Sequence, residues 1–260
     1  MDYSQYQCIR FAREGSILRV AINRPDVRNA INETLHRELA QAFFDIALDA
    51  QSKVIILTGE GKAFCAGGDL GMMERMLAQR SPYGVMNAEA KRIVFGLLEL
   101  EKPVICRMNG DAVGLGATLA LLCDIIIASD TARIADPHVR VGLVAGDGGA
   151  LIWPQLIGYA RAKELLMGGA MLTAAKACEY GLINQVCTDD ELDAAVDKLA
   201  NQYANGAIEA ISWTKVTINI GLKQAMHAIM DAGMAYEALS MREAFHAEAV
   251  ARMRAPKNNS

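Results

Sequence analysis

The sequence predicts a layered α/β fold. Three short runs, Lys53–Thr58, Pro103–Met108 and Asp124–Ala128, have the apolar content of buried strands, and glycine-bearing loops follow the first two. Helical apolar spacing fills the intervals, and that alternation of strand, loop and helix calls for packed layers. Ile17–Ile22 reads as an earlier strand, ended by Asn23-Arg24-Pro25-Asp26. A helix is expected from near Asn32, with Leu35, Leu39 and Phe43 on one face. After the loop Gly59–Asp69 come a Met- and Leu-rich helical stretch and a longer helix over about Met86–Leu100. Asn109-Gly110 marks a turn, and Gly116–Cys123 is an apolar helix without a charge. From about Asp189 only helical patterning remains, with Met234, Ala238, Met241, Phe245 and Ala249 on one face and a disordered tail over Ala255–Ser260. Residues 1–200 are therefore expected to form the core domain, and residues 201–260 a helical region whose Ala/Met face supports oligomerisation.

A chain of 260 residues with 52% hydrophobic content can bury one large core. Its 26 basic and 30 acidic side chains leave a net charge of −4, a poor footing for a nucleic-acid partner. The six cysteines form no CxxC or Cys/His cluster, so neither a zinc site nor a disulfide framework is expected. Cys106 and Cys123 lie in apolar runs, as reduced core cysteines do. The N-terminus lacks the basic start and apolar run of a secretory signal, and no apolar stretch is long enough for a bilayer. A cytoplasmic location is expected, with no membrane partner, metal or redox cofactor.

Chemistry is expected at two glycine-rich segments after buried strands, Ala63–Leu70 and Asn109–Thr118. Glycine lets backbone approach a ligand closely, although tight turns need it equally. Lys62 is followed by Ala63, which does not fit a phosphate loop, and Leu119 stands where a dinucleotide fingerprint has its third glycine. The apolar helix after Leu115 leaves N-terminal amides free to face a developing anion, or to be capped by neighbouring backbone. The residues alone leave those readings even.

Phe64-Cys65-Ala66-Gly67-Gly68-Asp69-Leu70, Lys102–Ile105, Gly114-Leu115-Gly116 and Cys123-Asp124-Ile125 resemble the signatures of the enoyl-CoA hydratase/isomerase (crotonase) superfamily. Arg24-Pro25 with Arg28–Ile31, Gly142-Leu143 through Gly149, Leu172–Ala174 and Gly181–Ile183 are similar to its other motifs, in order along nearly the whole chain. The resemblance implies a spiral of ββα turns with a C-terminal helical region, and a homotrimer or dimer of trimers. It implies an acyl-CoA thioester as substrate, coenzyme A being part of that substrate and no separate cofactor being needed. It places an oxyanion hole at the N–H groups of Gly68 and Leu115, coenzyme A along Ala66, Gly68, Asp69, Leu70 and Gly71, and its phosphates near Arg28.

The hydratases of the superfamily use two glutamates, and the matching positions here hold Thr118 and His138. A threonine hydroxyl is no general base at neutral pH, whereas an imidazole exchanges protons there. Asp147, in Gly146-Asp147-Gly148, matches a catalytic aspartate of dienoyl-CoA isomerases. The His138–Asp147 pair with Trp153-Pro154 also resembles the oxocamphor hydrolases, which cleave β-diketones with water. Three functions follow as expectations. They are an enoyl-CoA hydratase-like lyase with His138 and Asp147 as replacement acid/base pair, a retro-Claisen C–C hydrolase, and a CoA-thioester or RNA binder without chemistry. Leu70, Met72, Met73, Met76 and Leu77 are candidates for an acyl pocket, or for the buried face of a helix.

Overall fold

The structure is a computed structural model that describes residues 1–79 and 83–254; the tail expected to be disordered lies outside them. Strand β1 (Ile9–Glu14) and strand β2 (Ile17–Ile22) form an antiparallel hairpin that turns at Gly15, whose φ of 58° suits glycine. β1 alternates buried and exposed residues, as an edge strand does, and its mixed pattern gave no apolar run to read in the sequence. Helix α1 (Glu33–Leu48) starts where Asn32 accepts a hydrogen bond from the Leu35 N–H at 3.0 Å. It leads into strand β3 (Val54–Gly59), which runs parallel to β2.

Helices α2 (Leu70–Gln79) and α3 (Tyr83–Glu99) carry the chain back to strand β4 (Val104–Met108). Short β5 (Ala112–Val113) and helix α4 (Leu115–Leu121) follow, every residue of α4 being buried. The next turn repeats that order with β6 (Ile125–Ser129), β7 (Arg133–Ala135), a 3-10 turn over His138–Val141, and helices α5 (Gly149–Ile157) and α6 (Tyr159–Gly168). Then come β8 (Met171–Thr173), α7 (Ala174–Tyr180), β9 (Gln185–Cys187), α8 (Asp189–Ala204), α9 (Ile208–Ser240) and α10 (Ala244–Arg254). The long strands build a six-stranded sheet in the order β1-β2-β3-β4-β6-β9, and the short ones a second sheet, β5-β7-β8. Strands of two or three residues are too short to show a period, which is why β5 and β7–β9 were not legible.

The large sheet is covered on both faces. Val54, Ile56, Ile105 and Ile127 point to one side and pack on Leu192, Val196 and Ala200 of α8. Ile55, Leu57, Val104 and Cys106 point to the other, into the main core with Phe43, Leu97 and Trp153. All six cysteines are free, and Cys106 and Cys123 are buried as expected. Among the described residues no helix is long and apolar enough to cross a membrane. The terminal helical face differs from expectation. The helix is interrupted at residues 241–243, between α9 and α10, leaving Phe245 51% exposed, and His246, Ala249 and Val250 are the residues that α10 buries.

One side chain ties the first loop to the core. Asn29 is fully buried at φ 58° and accepts a hydrogen bond from the Arg24 N–H at 2.8 Å. It donates to the carbonyls of Glu60 at 2.9 Å and Ala63 at 2.8 Å. Asparagine tolerates left-handed backbone better than most L-residues, so conformation and bonding agree. Asn29→Ala is expected to cost about 3 kcal/mol or more, because it strands several buried polar groups at once; a shift in the denaturant midpoint measures it.

Candidate active site

The small sheet positions the site. It is continued beyond β5 by a parallel pairing of Cys65 with Ala112, with Cys65 N–H donating to Asp111 O at 3.0 Å and Val113 N–H to Cys65 O at 2.9 Å. On its other side, Gly114 N–H donates to Ala135 O at 2.9 Å. Three neighbouring chain segments therefore leave the sheet in the same direction: Ala66–Asp69, Gly114-Leu115 and Asp136–His138. Parallel sheets bind ligands at this carboxyl end. A Cβ on Gly67 would lie 2.8 Å from Val113 O, and one on Gly116 2.6 Å from Cys65 O. Gly114 has φ 56°, and a Cβ there would meet His138 Cε1 at 3.5 Å. The glycines of the two motifs thus serve close contact between segments.

Gly68, Leu115 and His138 all line one cavity of about 100 Å³. Among the described residues no acceptor takes the N–H of Gly68 or of Leu115. Leu115 opens α4, whose N-cap, Gly114, has no side chain to cap it. Two unused donors facing a cavity suit an oxygen that gains negative charge.

His138 stands between two carboxylates. Its Nδ1 is hydrogen-bonded to Asp136 Oδ1, and its Nε2 lies 3.5 Å from Asp147 Oδ2. Asp136 is held over the start of α5, where a Cβ on Gly149 would overlap its carboxylate. Burial opposes charge on the imidazole, but Asp136 and Asp147 outweigh it and hold the His138 pKa well above the usual histidine value. A third acid comes from α9. Glu237 is 8% exposed, lines the same cavity, and has its pKa pushed up to about 8 by burial and by the charge of Asp147. Asp136 Oδ2, Asp147 Oδ1 and Glu237 Oε2 are buried without a hydrogen-bond partner among the described residues. Asp136, His138 and Asp147 also lie close enough to share a cation, their ligand-type atoms falling within 4.8 Å. Both ring nitrogens already face carboxylates, so we read the group as a proton-sharing array.

The structure brings Gly68, Leu115, His138 and Asp147 together at this cavity, and does not bring Thr118 to it. Thr118 is fully buried and packs behind the wall, its Cγ2 2.7 Å from where a Cβ on Gly148 would be. Asp147 does not cap α5, whose N-cap is Gly148. Of the segment expected along coenzyme A, only Gly68 lines the cavity; Ala66, Leu70 and Gly71 are half-buried beside it, and Arg28 is exposed. The Asp69 carboxylate is engaged with Arg24 at 3.2 Å and with the Met72 N–H at 3.1 Å, which caps α2. Met72, Met73 and Met76 line the cavity, whereas Leu70 does not and Leu77 faces a groove against α10.

Sequence reasoning missed Asp136, Glu237 and His36, the last a cavity residue bonded through Nδ1 to Glu89 at 2.7 Å. A signal for Glu237 existed. It continues the buried series Met226, Met230, Met234, where a carboxylate on an apolar stripe is out of place.

Residues 12–250 match the family model described as enoyl-CoA hydratase/isomerase. A short-chain-enoyl-CoA hydratase of Clostridium acetobutylicum is 35% identical, over 91% of this chain and 88% of its own. The crystal structure of an enoyl-CoA hydratase/isomerase from Mycobacterium paratuberculosis is similar with TM-score 0.90 and 34% identity, covering 94% of this chain and 98% of that one. A β-diketone hydrolase from the cyanobacterium Anabaena, solved with (S)-3-oxocyclohexyl acetic acid bound, is similar with TM-score 0.85 and 29% identity, over 92% and 96% of the two chains. The architecture implied by the sequence motifs is the one these structures share.

The buried acid has a thermodynamic consequence. Unfolded glutamate loses its proton near pH 4.5, whereas folded Glu237 keeps it to about 8. The native state binds the extra proton across that window, so stability falls as pH rises through it. His138 acts in the same direction at higher pH: its contribution is full below about 6.5 and fades through its raised folded pKa. Glu237→Gln is expected to remove the decline between pH 4.5 and about 6.5 and to leave only the His138 contribution above it, as read from melting temperature against pH.

Proposed function

The chain belongs to the enoyl-CoA hydratase/isomerase family, and from that premise we propose that it is an enzyme of acyl-CoA thioesters that holds the thioester oxygen as an enolate-like oxyanion. The observation that carries this reading is the pair of unused N–H groups, Gly68 and Leu115, facing one cavity with a histidine–carboxylate array. In this reading coenzyme A runs along Ala66–Gly71 with its phosphates toward Arg28, and the acyl group enters the cavity. Each donor aimed at the oxyanion contributes about 3 kcal/mol to lowering the barrier.

Proton transfer runs through His138 and Asp147, in a hydratase-like addition of water. The flanking carboxylates favour an imidazolium in the resting site, so Asp147 rather than the ring accepts the proton of the attacking water. His138, fixed through Nδ1 on Asp136, then stands with Nε2 beside the protonated Asp147, where the proton is shared before it leaves the site. A second reading, retro-Claisen cleavage of a β-dicarbonyl compound, is favoured by the lack of a carboxylate at Thr118 and by the likeness to the Anabaena β-diketone hydrolase. There the activated water attacks a carbonyl, the C–C bond breaks, and its electron pair becomes the enolate in the same oxyanion hole. The outer face of α9 and α10, with Ile218, Tyr236, Leu239 and Phe245 exposed, supports association with further copies of this chain, as a trimer or a dimer of trimers.

Product analysis by mass spectrometry on short enoyl-CoA thioesters and cyclic β-diketones tests the two readings. Water gained by the enoyl thioester with its skeleton intact is the outcome expected of the first. Ring opening of a free diketone, with enoyl thioesters untouched, would replace it by the second. His138→Gln is expected to lower kcat about 10²- to 10⁴-fold while CoA thioesters still bind, measured by steady-state kinetics and calorimetry.

The cavity's volume is well below the roughly 300–1,000 Å³ of ordinary ligand sites, and six methionines are among its walls. Met73 Cε lies 2.6 Å from where a Cβ on Gly68 would stand, so its side chain packs on that cavity residue. Met73→Ala is expected to raise kcat/KM for six-carbon over four-carbon thioesters by about tenfold, since each of the two added methylenes is worth about 0.8 kcal/mol when buried.

A further inference from the structure

We infer that Glu237, presented by the long helix α9, is the acid that protonates substrate carbon, the task for which position 118 offers no carboxyl group. The inference rests on the reading of the site as one that forms an enolate, and holds for water addition and for C–C cleavage alike.

Glu237 combines three properties that a structural glutamate lacks. It faces the reaction cavity beside His138 and Asp147. Its Oε2 is buried and has no hydrogen-bond partner among the described residues, whereas buried polar atoms are ordinarily satisfied. No lysine or arginine pairs with it among the described residues. The approach is also fitted: a Cβ on Gly146 would lie 2.8 Å from Glu237 Oε2 and would meet the Gly233 carbonyl, so glycine at 146 lets α9 close on the Asp147 loop.

The charge balance explains why the proton stays. His138 and Asp147 line the cavity with Glu237, Asp136 adds its influence from the same loop after β7, and His246 of α10 and His36, bonded to Glu89, are further cavity residues. Helix α5, which packs on α9, adds no ionisable side chain. One imidazolium already faces two carboxylates, and a third anion in this low-dielectric space would be unpaired. Glu237 is accordingly a neutral acid up to about pH 8.

The step balances in both reactions. In hydration, the water oxygen bonds to the β-carbon while Asp147 takes its proton. The double-bond electrons move to the enolate, and Glu237 transfers its proton to the α-carbon. In cleavage, the carbanion released as enolate takes the same proton. Glu237 is left as carboxylate and Asp147 as acid, and return of that proton past His138 restores the resting site.

Glu237→Gln tests this, since an amide copies the neutral acid in shape but has no proton to give. Infrared difference spectra of wild type against the variant, without substrate at pH 7, are expected to show the carbonyl stretch of a protonated carboxyl that the variant lacks. Turnover on the substrate the wild type accepts is expected to fall about 10²- to 10³-fold, with KM within about threefold and the alkaline limb of the pH–rate profile near 8 abolished. A missing infrared band, or a variant that keeps wild-type kcat and the same alkaline limb, overturns the donor role. Wild type inactive on both thioesters and diketones would instead remove the reading of the site itself, and the donor role with it.

Discussion

Backbone touching backbone is the constraint on which this molecule rests. Cys65 pairs with Ala112, Gly114 with Ala135, and between these contacts three chain segments leave the parallel part of a small sheet side by side. Side chains at 67 or 116 would collide with the neighbouring strand, and the φ of 56° at 114 excludes most L-residues. The reward is geometric. Two amides and an imidazole from three distant stretches of sequence meet at one cavity, on backbone that the six-stranded sheet and the Asn29 hydrogen bonds hold in place. Catalysis by fixed donors depends on such rigidity, because a displacement of about 1 Å already costs much of the effect.

Against that rigid frame the electrostatics are unfavourable to folding. Three carboxyl groups surround one half-buried imidazole, and an oxygen of each lacks a hydrogen-bond partner among the described residues. Burying unpaired polar atoms costs about 1–3 kcal/mol each, so apolar replacements would make a more stable protein. Natural sequences break local rules in this way mainly where chemistry is done. The same crowding separates the roles of the acids. Asp136 is fixed on Nδ1 and held over α5, Asp147 stands at the more distant Nε2, and Glu237 retains a proton because it is buried and lies near Asp147.

The legible part of the sequence was the part with a long period or a dense motif. The buried strands at 54–59, 104–108 and 125–129, the apolar helix at 115–121, and the placement of Gly68, Leu115, His138 and Asp147 at one site all follow from such signals. Thr118 was a candidate only because it matches a family position; its side chain packs against Gly148, since α4 turns that face inward. Strands β5, β7 and β8 could not be read, because their two or three residues are specified by pairing with distant backbone. Asp136 and Glu237 went unassigned for a related reason. Their significance lies in what surrounds them, and proximity between residue 237 and residues 136–147 is a property of the fold.

That proximity also changes what the C-terminal helices do. A division into a core domain that carries the site and a helical region that carries assembly fits the chain's patterning. Yet Met234, Glu237, Met241 and His246 line the same cavity as Gly68 and His138. One face of α9 buries Met226, Met230, Met234 and Glu237, and the opposite face exposes Ile218, Ile229, Tyr236 and Leu239. The helix is thus a wall of the site and a surface for packing at once. Whatever rests on its outer face also restrains the segment that sets the distance of Glu237 from Asp147. A carboxylic acid whose proton depends on its separation from other charges is sensitive to such restraint, because Coulomb energy in a buried site changes steeply with distance.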